Sequence, residues 1–204
     1  MDNRREFMLD TETLALTSRA AVWQIGMLEI KPGADDADIW HVDPEIVKRH
    51  QHKFEIDNDT ISWSMAQEGT SFKDWYNGYM RNRPPHDNHC DKVETIVEQM
   101  IEWAGGFQEA QKAIWWAKNA AFDFPILEHL FKTYGKETPW HYRNKGCLYT
   151  LRIEAERKWG VERVKKFAPL YTGVSHSAGD DCYNQVQQMA YYRSIIDHAV
   201  QVPE

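Results

Sequence analysis

Hydrophobic and polar positions along the chain predict strands first, and then strands that alternate with helices. The run Phe7-Met8-Leu9 is continuously apolar, as in a strand that is buried on both faces. Gly33 separates the second and third predicted strands, which favours an antiparallel hairpin. The predicted strands are residues 6–12, 20–30, 38–42 and 113–117.

Helices are predicted between and after these strands. Apolar side chains recur at helical spacing in residues 91–103, and Gly105-Gly106 ends that helix. Pro125 fits the first turn of a helix, where proline is tolerated. The full set of predicted helices is residues 44–50, 59–67, 71–80, 91–103, 124–134, 148–159 and 178–198. This order predicts an α/β fold in which helices cover a mixed sheet.

The composition is that of an ordinary globular domain. The 204 residues include 42% apolar and 27% charged side chains, and aromatic residues reach 13%. We see no repeat, and the Pro- and Asn-containing loop at residues 83–89 is interpreted as internal, so residues 1–204 are expected to form a single domain. No apolar run has membrane-spanning length, and the polar start does not predict a signal peptide.

Three cysteines, with no CxxC pair, suggest a reducing compartment. We therefore expect a cytoplasmic protein, in a bacterium or a phage-infected host. The formal net charge of −7 counts mildly against a nucleic-acid binder, although a site that holds divalent metals must itself be acidic. Residues 143–166 depart from this balance, with eight basic and three acidic side chains. That segment is either a solvated helix face or a surface for phosphates.

Three short elements carry candidate chemistry, and the first is Asp10-Thr11-Glu12 at the end of the first strand. Side chains two apart on a strand point to the same face, so both carboxylates leave the sheet together. Two carboxylates so close repel each other unless a cation lies between them, and hard oxygen ligands suit Mg²⁺ or Mn²⁺. A solvated strand end is the alternative for this common pattern.

The second element places Asp123 after the apolar segment 114–117, at a predicted strand-to-helix junction where α/β folds bind ligands. Its alternative interpretation is an N-cap for the following helix. The third element is His176 followed by Asp180 and Asp181 at the start of the last helix. Ser177 and Asp180 have capping-box spacing, which leaves Asp181 free for another role. His176 taken alone is a loop histidine.

Together the elements resemble the DEDDh subgroup of the DnaQ-like 3′–5′ exonucleases. That family has Asp-x-Glu on the first strand, a central Asp, and then His-x4-Asp near the C-terminus. All five positions are present in order, and Ser177 stands where the tyrosine variant of the family has Tyr. The resemblance implies a ribonuclease H-like fold with a mixed five-stranded sheet flanked by helices.

The resemblance also implies a mechanism. Two Mg²⁺ or Mn²⁺ ions would be held by the four carboxylates, and His176 would act as the general base. The products would be nucleoside 5′-monophosphates. The catalytic and metal-binding candidates are Asp10, Glu12, Asp123, His176 and Asp181.

The expected partner is the 3′ end of single-stranded DNA or RNA, and the resemblance implies a homodimer. Candidate contacts to the terminal nucleotide are Thr11, Thr13, Leu14, Asn119 and Phe122. A finer likeness, in residues 59–63, 119–125 and 145–148, is to the compact phage and bacterial branch of exonucleases and exoribonucleases. One departure is Ala117-Lys118, where that branch has Gly and often His. Lys118 would suit a phosphate instead.

Two other interpretations remain at this stage. The first is a non-catalytic nucleic-acid-binding or partner module on the same fold, because fold alone does not give function. The second is a zinc module at His86, His89 and Cys90, for which a fourth ligand at finger-like spacing is missing.

Overall fold

The computed structural model describes residues 4–13, 16–20, 22–32, 40–41, 52–53, 93–173 and 175–197. Three predicted helices (residues 44–50, 59–67 and 71–80) and the alternative zinc ligands lie outside the described residues. None of the helices described is both long and apolar enough to cross a membrane.

A mixed sheet forms the centre of the described fold. Its strands are β1 (Glu6–Thr13), β2 (Val22–Pro32), β3 (Trp40–His41), β4 (His52–Lys53), β5 (Ile114–Ala117) and β6 (Lys145–Cys147). The order is β3-β2-β1-β5-β6, and β4 also pairs with β2. The β1–β2 pair is antiparallel, whereas β5 runs parallel to β1 and β6 runs parallel to β5. The carboxyl ends of β1, β5 and β6 therefore share one edge.

The predicted mixed α/β sheet is confirmed, but the strand count differs from the expected five. The described residues form six strands, because two-residue pairings at β3 and β4 both join β2. Strand β6 is only three residues long and ends before a predicted helix, so its sequence carries too few positions for an alternating pattern.

Six helices pack on this sheet within the described part of the chain. They are α1 (Val93–Trp103), α2 (Phe107–Lys112), α3 (Ala120–Thr133), α4 (Leu148–Trp159), α5 (Val161–Lys166) and α6 (Ala178–Asp197). Gly105 and Gly106 end α1 with positive φ, as predicted, and the Gly106 N–H donates to the carbonyl of Ile101. Helices α2 and α5 were not predicted; each has six residues, which is less than two turns.

Two apolar cores cover the two faces of the sheet, because successive side chains of β1 point in opposite directions. Phe7 and Leu9 belong to a core with residues of α1 and α3, and Met8 belongs to a second core with residues of α4 and α6. All three side chains are fully buried. The three-layer arrangement fixes which helices can reach each face at the end of β1.

The last helix runs antiparallel to β1, and both of its ends are attached to the sheet. Near the end of α6, Arg193 forms an ion pair with Glu6 at 2.8 Å, at the beginning of β1. At its first residue, the Ala178 N–H donates to the side-chain oxygen of Gln24 at 3.1 Å. The first turn of α6 therefore lies beside the end of β1.

Candidate active site

Asp10 and Glu12 lie on the face of β1 that α6 covers, as the two-residue spacing predicted. Thr11 between them points to the opposite face, where it is buried and contacts α3. The β1–β2 pairing shifts register after Glu12, so the regular ladder ends at these residues. The end of β1 thus presents carboxylates to one helical layer and a hydroxyl to the other.

Asp10 receives a hydrogen bond from α6, since the Gln185 amide Nε2 donates to Asp10 Oδ1 at 2.6 Å. Burial raises the pKa of Asp10 well above its ordinary value, and the charges of Asp123, Glu12 and Asp181 raise it further. The Gln185 hydrogen bond works in the opposite direction. A bound cation would offset the negative charges of the neighbouring carboxylates and so favour the ionised form of Asp10.

Asp123 lies on the other side of β1, in the first turns of α3. Thr11 Oγ1 donates a hydrogen bond to Asp123 Oδ1 at 2.8 Å. Burial raises the pKa of Asp123 to about 6, although hydrogen bonds from Thr11 lower it in part. The alternative interpretation of Asp123 as an N-cap is wrong, because α3 begins earlier and Asn119 is the N-cap, accepting from the Ala121 N–H at 3.2 Å.

Asp181 reaches Asp10 because Gly26 lets the first turn of α6 approach the sheet. Gly26 pairs with Asp10 across β1 and β2. A Cβ at Gly26 would lie 2.1 Å from the Ala178 carbonyl oxygen, so any larger residue would push α6 outward. The sequence shows this glycine, but only the packing shows that α6 lies on it.

Asp10, Glu12 and Asp181 together form a group that could hold a metal ion. One carboxylate oxygen from each lies within 4.8 Å of the others. Three hard oxygen donors at this spacing suit Mg²⁺ or Mn²⁺. The side-chain oxygen Oε1 of Gln185 is buried and has no hydrogen-bond partner in the described part of the chain, which also fits a site completed by a metal and its water.

His176 lies in the loop before α6 with a positive φ of 60°, which is uncommon for a residue other than glycine. Its Nδ1 is 3.7 Å from Glu12 Oε2, beyond ordinary hydrogen-bond length. The side chain is 48% exposed. The backbone therefore holds an accessible imidazole over the carboxylate group.

A single pocket is lined by all five candidate catalytic residues. Tyr171 also lines it, and its hydroxyl donates to Asp181 Oδ1 at 3.0 Å. Burial and the charge of Asp181 raise the pKa of Tyr171 above its ordinary value. Lys118, which the sequence suggested as a phosphate contact, also lines the pocket. Sequence reasoning missed five other lining residues, namely Leu16, Tyr149, Tyr171, Ser175 and Gln185.

The candidate contacts to a terminal nucleotide line the pocket where they are described, but some of their side chains already have other hydrogen-bond partners. All four of those described (Thr11, Thr13, Asn119 and Phe122) line the pocket, although Thr11 is committed to Asp123 and Asn119 to capping α3. Leu14 lies outside the described residues. Phe122 additionally packs against the core on the α3 side.

The basic segment, residues 143–166, spans β6, α4 and α5 and is largely engaged in surface ion pairs. Lys145 pairs with Glu128 at 2.7 Å and Lys165 with Glu162 at 3.5 Å. Neither Arg143 nor Lys145 is among the residues that line the pocket. These contacts favour a solvated helix face for most of the segment.

Solved structures with a similar fold include several nucleases. The chain is similar to cell-death related nuclease 4 (TM-score 0.62, 16% identity, covering 94% of this chain and 63% of that one). It is also similar to the nuclease domain of 3′hExo, a DEDDh family member bound to rAMP (TM-score 0.57, 11% identity, 98% and 96% covered). Escherichia coli exonuclease I with a dT13 oligonucleotide matches at TM-score 0.52 and 11% identity, with 94% and 41% covered. The chain thus spans less than two thirds of the first and third of these proteins.

These likenesses define the fold as the ribonuclease H-like fold of the DEDDh exonucleases, as the sequence predicted. The sequence profile of the Rv2179c-like 3′–5′ exoribonuclease domain matches residues 5–193. The chain belongs to this family, which is described as a 3′–5′ exoribonuclease domain. No curated protein matches the chain in sequence at a significant level.

Proposed function

We propose that the protein hydrolyses single-stranded nucleic acid from its 3′ end to nucleoside 5′-monophosphates, with two divalent cations and His176 as the general base. The observation that carries the proposal is the three-carboxylate group, whose ligand oxygens lie within 4.8 Å in a pocket shared with Asp123 and His176. RNA is the preferred strand in this proposal, because the family is described as an exoribonuclease domain.

Each residue has a separate task in this mechanism. Asp10, Glu12 and Asp181 would hold one Mg²⁺ or Mn²⁺, and Asp10 with Asp123 would hold the second. The cations, when bound, supply charge stabilisation at the phosphate and a more acidic attacking water. His176 would accept the proton of that water, because a neutral imidazole nitrogen can act as a general base. Its exposure of 48% leaves room for water and substrate.

The nucleotide contacts and the homodimer remain proposals of the same kind. Thr13, Leu14 and Phe122 would hold the terminal nucleotide beside the carboxylates, with Thr11 and Asn119 placing Asp123 and α3. Light scattering after size-exclusion chromatography would measure the predicted dimer directly.

The first experiment is a gel time course with 5′-labelled single-stranded RNA and DNA. Each strand is incubated with Mg²⁺, Mn²⁺ or EDTA, beside the variant Asp10→Ala. A ladder that shortens from the 3′ end, and that EDTA and the variant abolish, is expected. If neither strand is cleaved under any metal, the non-catalytic binding module becomes the better interpretation, and binding of the same strands is measured next.

A further inference from the structure

The pocket extends across the edge of the sheet rather than ending at the carboxylates. On one side it is lined by Thr13 and Leu16, at and after the end of β1. On the other side it is lined by Lys118, which follows β5, and by Tyr149, in the first turn of the helix after β6. Because the strand order is β2-β1-β5-β6, Lys118 and Tyr149 lie on the side of β1 that faces β5 and β6.

Lys118 and Tyr149 are held side by side by the main chain. The Tyr149 N–H donates to the Lys118 carbonyl oxygen at 3.2 Å, and the Cys147 thiol donates to the same oxygen at 3.7 Å. These contacts join the end of β5 to the start of α4. Both residues line the pocket, and their main chains are joined there.

The Lys118 side chain is exposed and forms no ion pair within the described residues. Other exposed or half-exposed lysines do pair, such as Lys136 with Glu98 at 2.6 Å and Lys145 with Glu128 at 2.7 Å. Lys118 lines the acidic pocket but pairs with none of its carboxylates, so its charge is suited to binding an anionic ligand. A phosphodiester is such an anion.

Tyr149 offers an aromatic surface whose orientation is set by its neighbour. The Arg152 guanidinium lies over the ring at 5.1 Å from its centroid, and Arg152 is in turn 3.4 Å from Glu156. The tyrosine is still 37% exposed. A partly exposed aromatic ring that lines the pocket is a surface on which a nucleobase can stack.

We propose that Lys118 and Tyr149 form a subsite for the nucleotide on the 5′ side of the scissile phosphate. Tyr149 stacks on the base of this preceding nucleotide, and the Lys118 ammonium binds the phosphate on its 5′ side. The inference rests on the proposed exonuclease function, which places the terminal nucleotide at Thr13, Leu14 and Phe122. The strand then continues along the pocket, and its next nucleotide lies against Lys118 and Tyr149.

Three substrates of increasing length test the subsite one contact at a time. The 4-nitrophenyl ester of uridine 5′-monophosphate has nitrophenol in place of the preceding nucleotide. An RNA dinucleotide without a 5′ phosphate adds the base, and a trinucleotide adds the next phosphate. For each enzyme, kcat/KM on the three substrates is compared with wild type.

Tyr149→Leu is expected to lose about tenfold more kcat/KM on the dinucleotide than on the ester, since one base stack is removed. Lys118→Gln is expected to lose about tenfold more on the trinucleotide than on the dinucleotide, because one charge-assisted phosphate contact is removed. Tyr149→Phe and Lys118→Arg should restore most of each loss. Lys132→Gln is the matched control, because this exposed lysine lies in the last turn of α3, away from the pocket.

Equal losses of kcat/KM on all three substrates would overturn the subsite, and so would the absence of a loss on any of them. A fall in melting temperature would identify a folding defect in a variant. If Tyr149→Leu fails to fold, Tyr149→Phe and Tyr149→His still vary the ring without removing it. An unchanged ratio of kcat/KM on the dinucleotide to kcat/KM on the ester in Tyr149→His would then count against stacking. Wild-type enzyme that cleaves none of the substrates would instead contradict the proposed exonuclease function itself.

Discussion

Replacing Asp123 by Asn should make the metal-free protein more stable at neutral pH. Asp123 is only 4% exposed, and burial raises its pKa from the ordinary 3.8 to about 6. The folded protein therefore binds this proton more tightly than the unfolded chain does. As far as Asp123 is concerned, the unfolding free energy is highest below pH 3.8, where the carboxyl is protonated in both states. It falls as the pH rises through 3.8 to about 6.

The size of the effect follows from the same two pKa values. The interval from 3.8 to 6 corresponds to about 3 kcal/mol of unfolding free energy at pH 7.5. Asn keeps an oxygen that accepts from Thr11. Its NH2 group cannot replace the second carboxylate oxygen as an acceptor for a backbone N–H, and the loss of one such hydrogen bond costs about 1 kcal/mol. The net gain is about 2 kcal/mol, or roughly 4–8 °C in melting temperature for a domain of this size.

Urea unfolding in EDTA at pH 7.5 and pH 4.5 measures this gain. At pH 4.5 the wild-type carboxyl is mostly protonated when folded, so the advantage of Asn should fall to about zero. Glu137→Gln, at an exposed position after α3, is the control, with a change within about 0.5 kcal/mol at either pH. A gain of equal size at both pH values, or a loss at pH 7.5, would refute the role of the buried charge.

Magnesium should narrow the difference in unfolding free energy between wild type and Asp123→Asn. A ligand that binds only the folded state stabilises it by about 2.7 kcal/mol at one hundred times its dissociation constant. Wild type should show this gain at pH 7.5, and Asp123→Asn should show less of it. An equal gain in both would remove Asp123 from the proposed metal ligands.

Three further predictions address the rest of the site. His176→Ala should lower turnover by about 10²–10⁴-fold and leave the stabilisation by Mg²⁺ intact, and a variant with normal turnover would exclude the general-base role. Gly26→Ala, whose Cβ would meet the Ala178 carbonyl, should lower unfolding free energy by about 1–3 kcal/mol in a denaturant titration and lower activity with it. The pKa values of Asp10 and Asp123 are raised in the metal-free protein, so protons compete with Mg²⁺ for these carboxylates. The Mg²⁺ concentration for half-maximal activity should therefore rise as the pH falls through about 6. A concentration that stays constant between pH 5.5 and 7.5 would contradict this.

The long elements could be predicted from the sequence because their patterns repeat over several turns. The predicted helix at residues 148–159 has the same bounds as α4, and the one at 178–198 agrees with α6 over all the residues that the structure describes. The helix predicted at 124–134 begins four residues too late, because Asn119 rather than Asp123 is its cap. Strand β6 and helices α2 and α5 are too short for a periodic signal.

The candidate site could be predicted as a set of acidic positions but not as a packed structure. Gln185 carried a signal that was missed, since it follows Asp181 by four residues and so shares its face of α6. Tyr171 carried none, because its contact with Asp181 depends on the path of the loop between α5 and α6. Lys118 was visible as a departure from the family pattern, whereas its attachment to Tyr149 required the strand order.

The division of the site between the two faces of β1 makes its assembly depend on the whole domain. Asp10 and Glu12 need α6 in place, and Asp123 needs α3 on the opposite layer. A partly folded chain in which only one layer has docked has an incomplete set of the proposed metal ligands. Under the proposed function, such a chain would not hydrolyse nucleic acid during synthesis or local unfolding, and activity would begin only when both layers have docked.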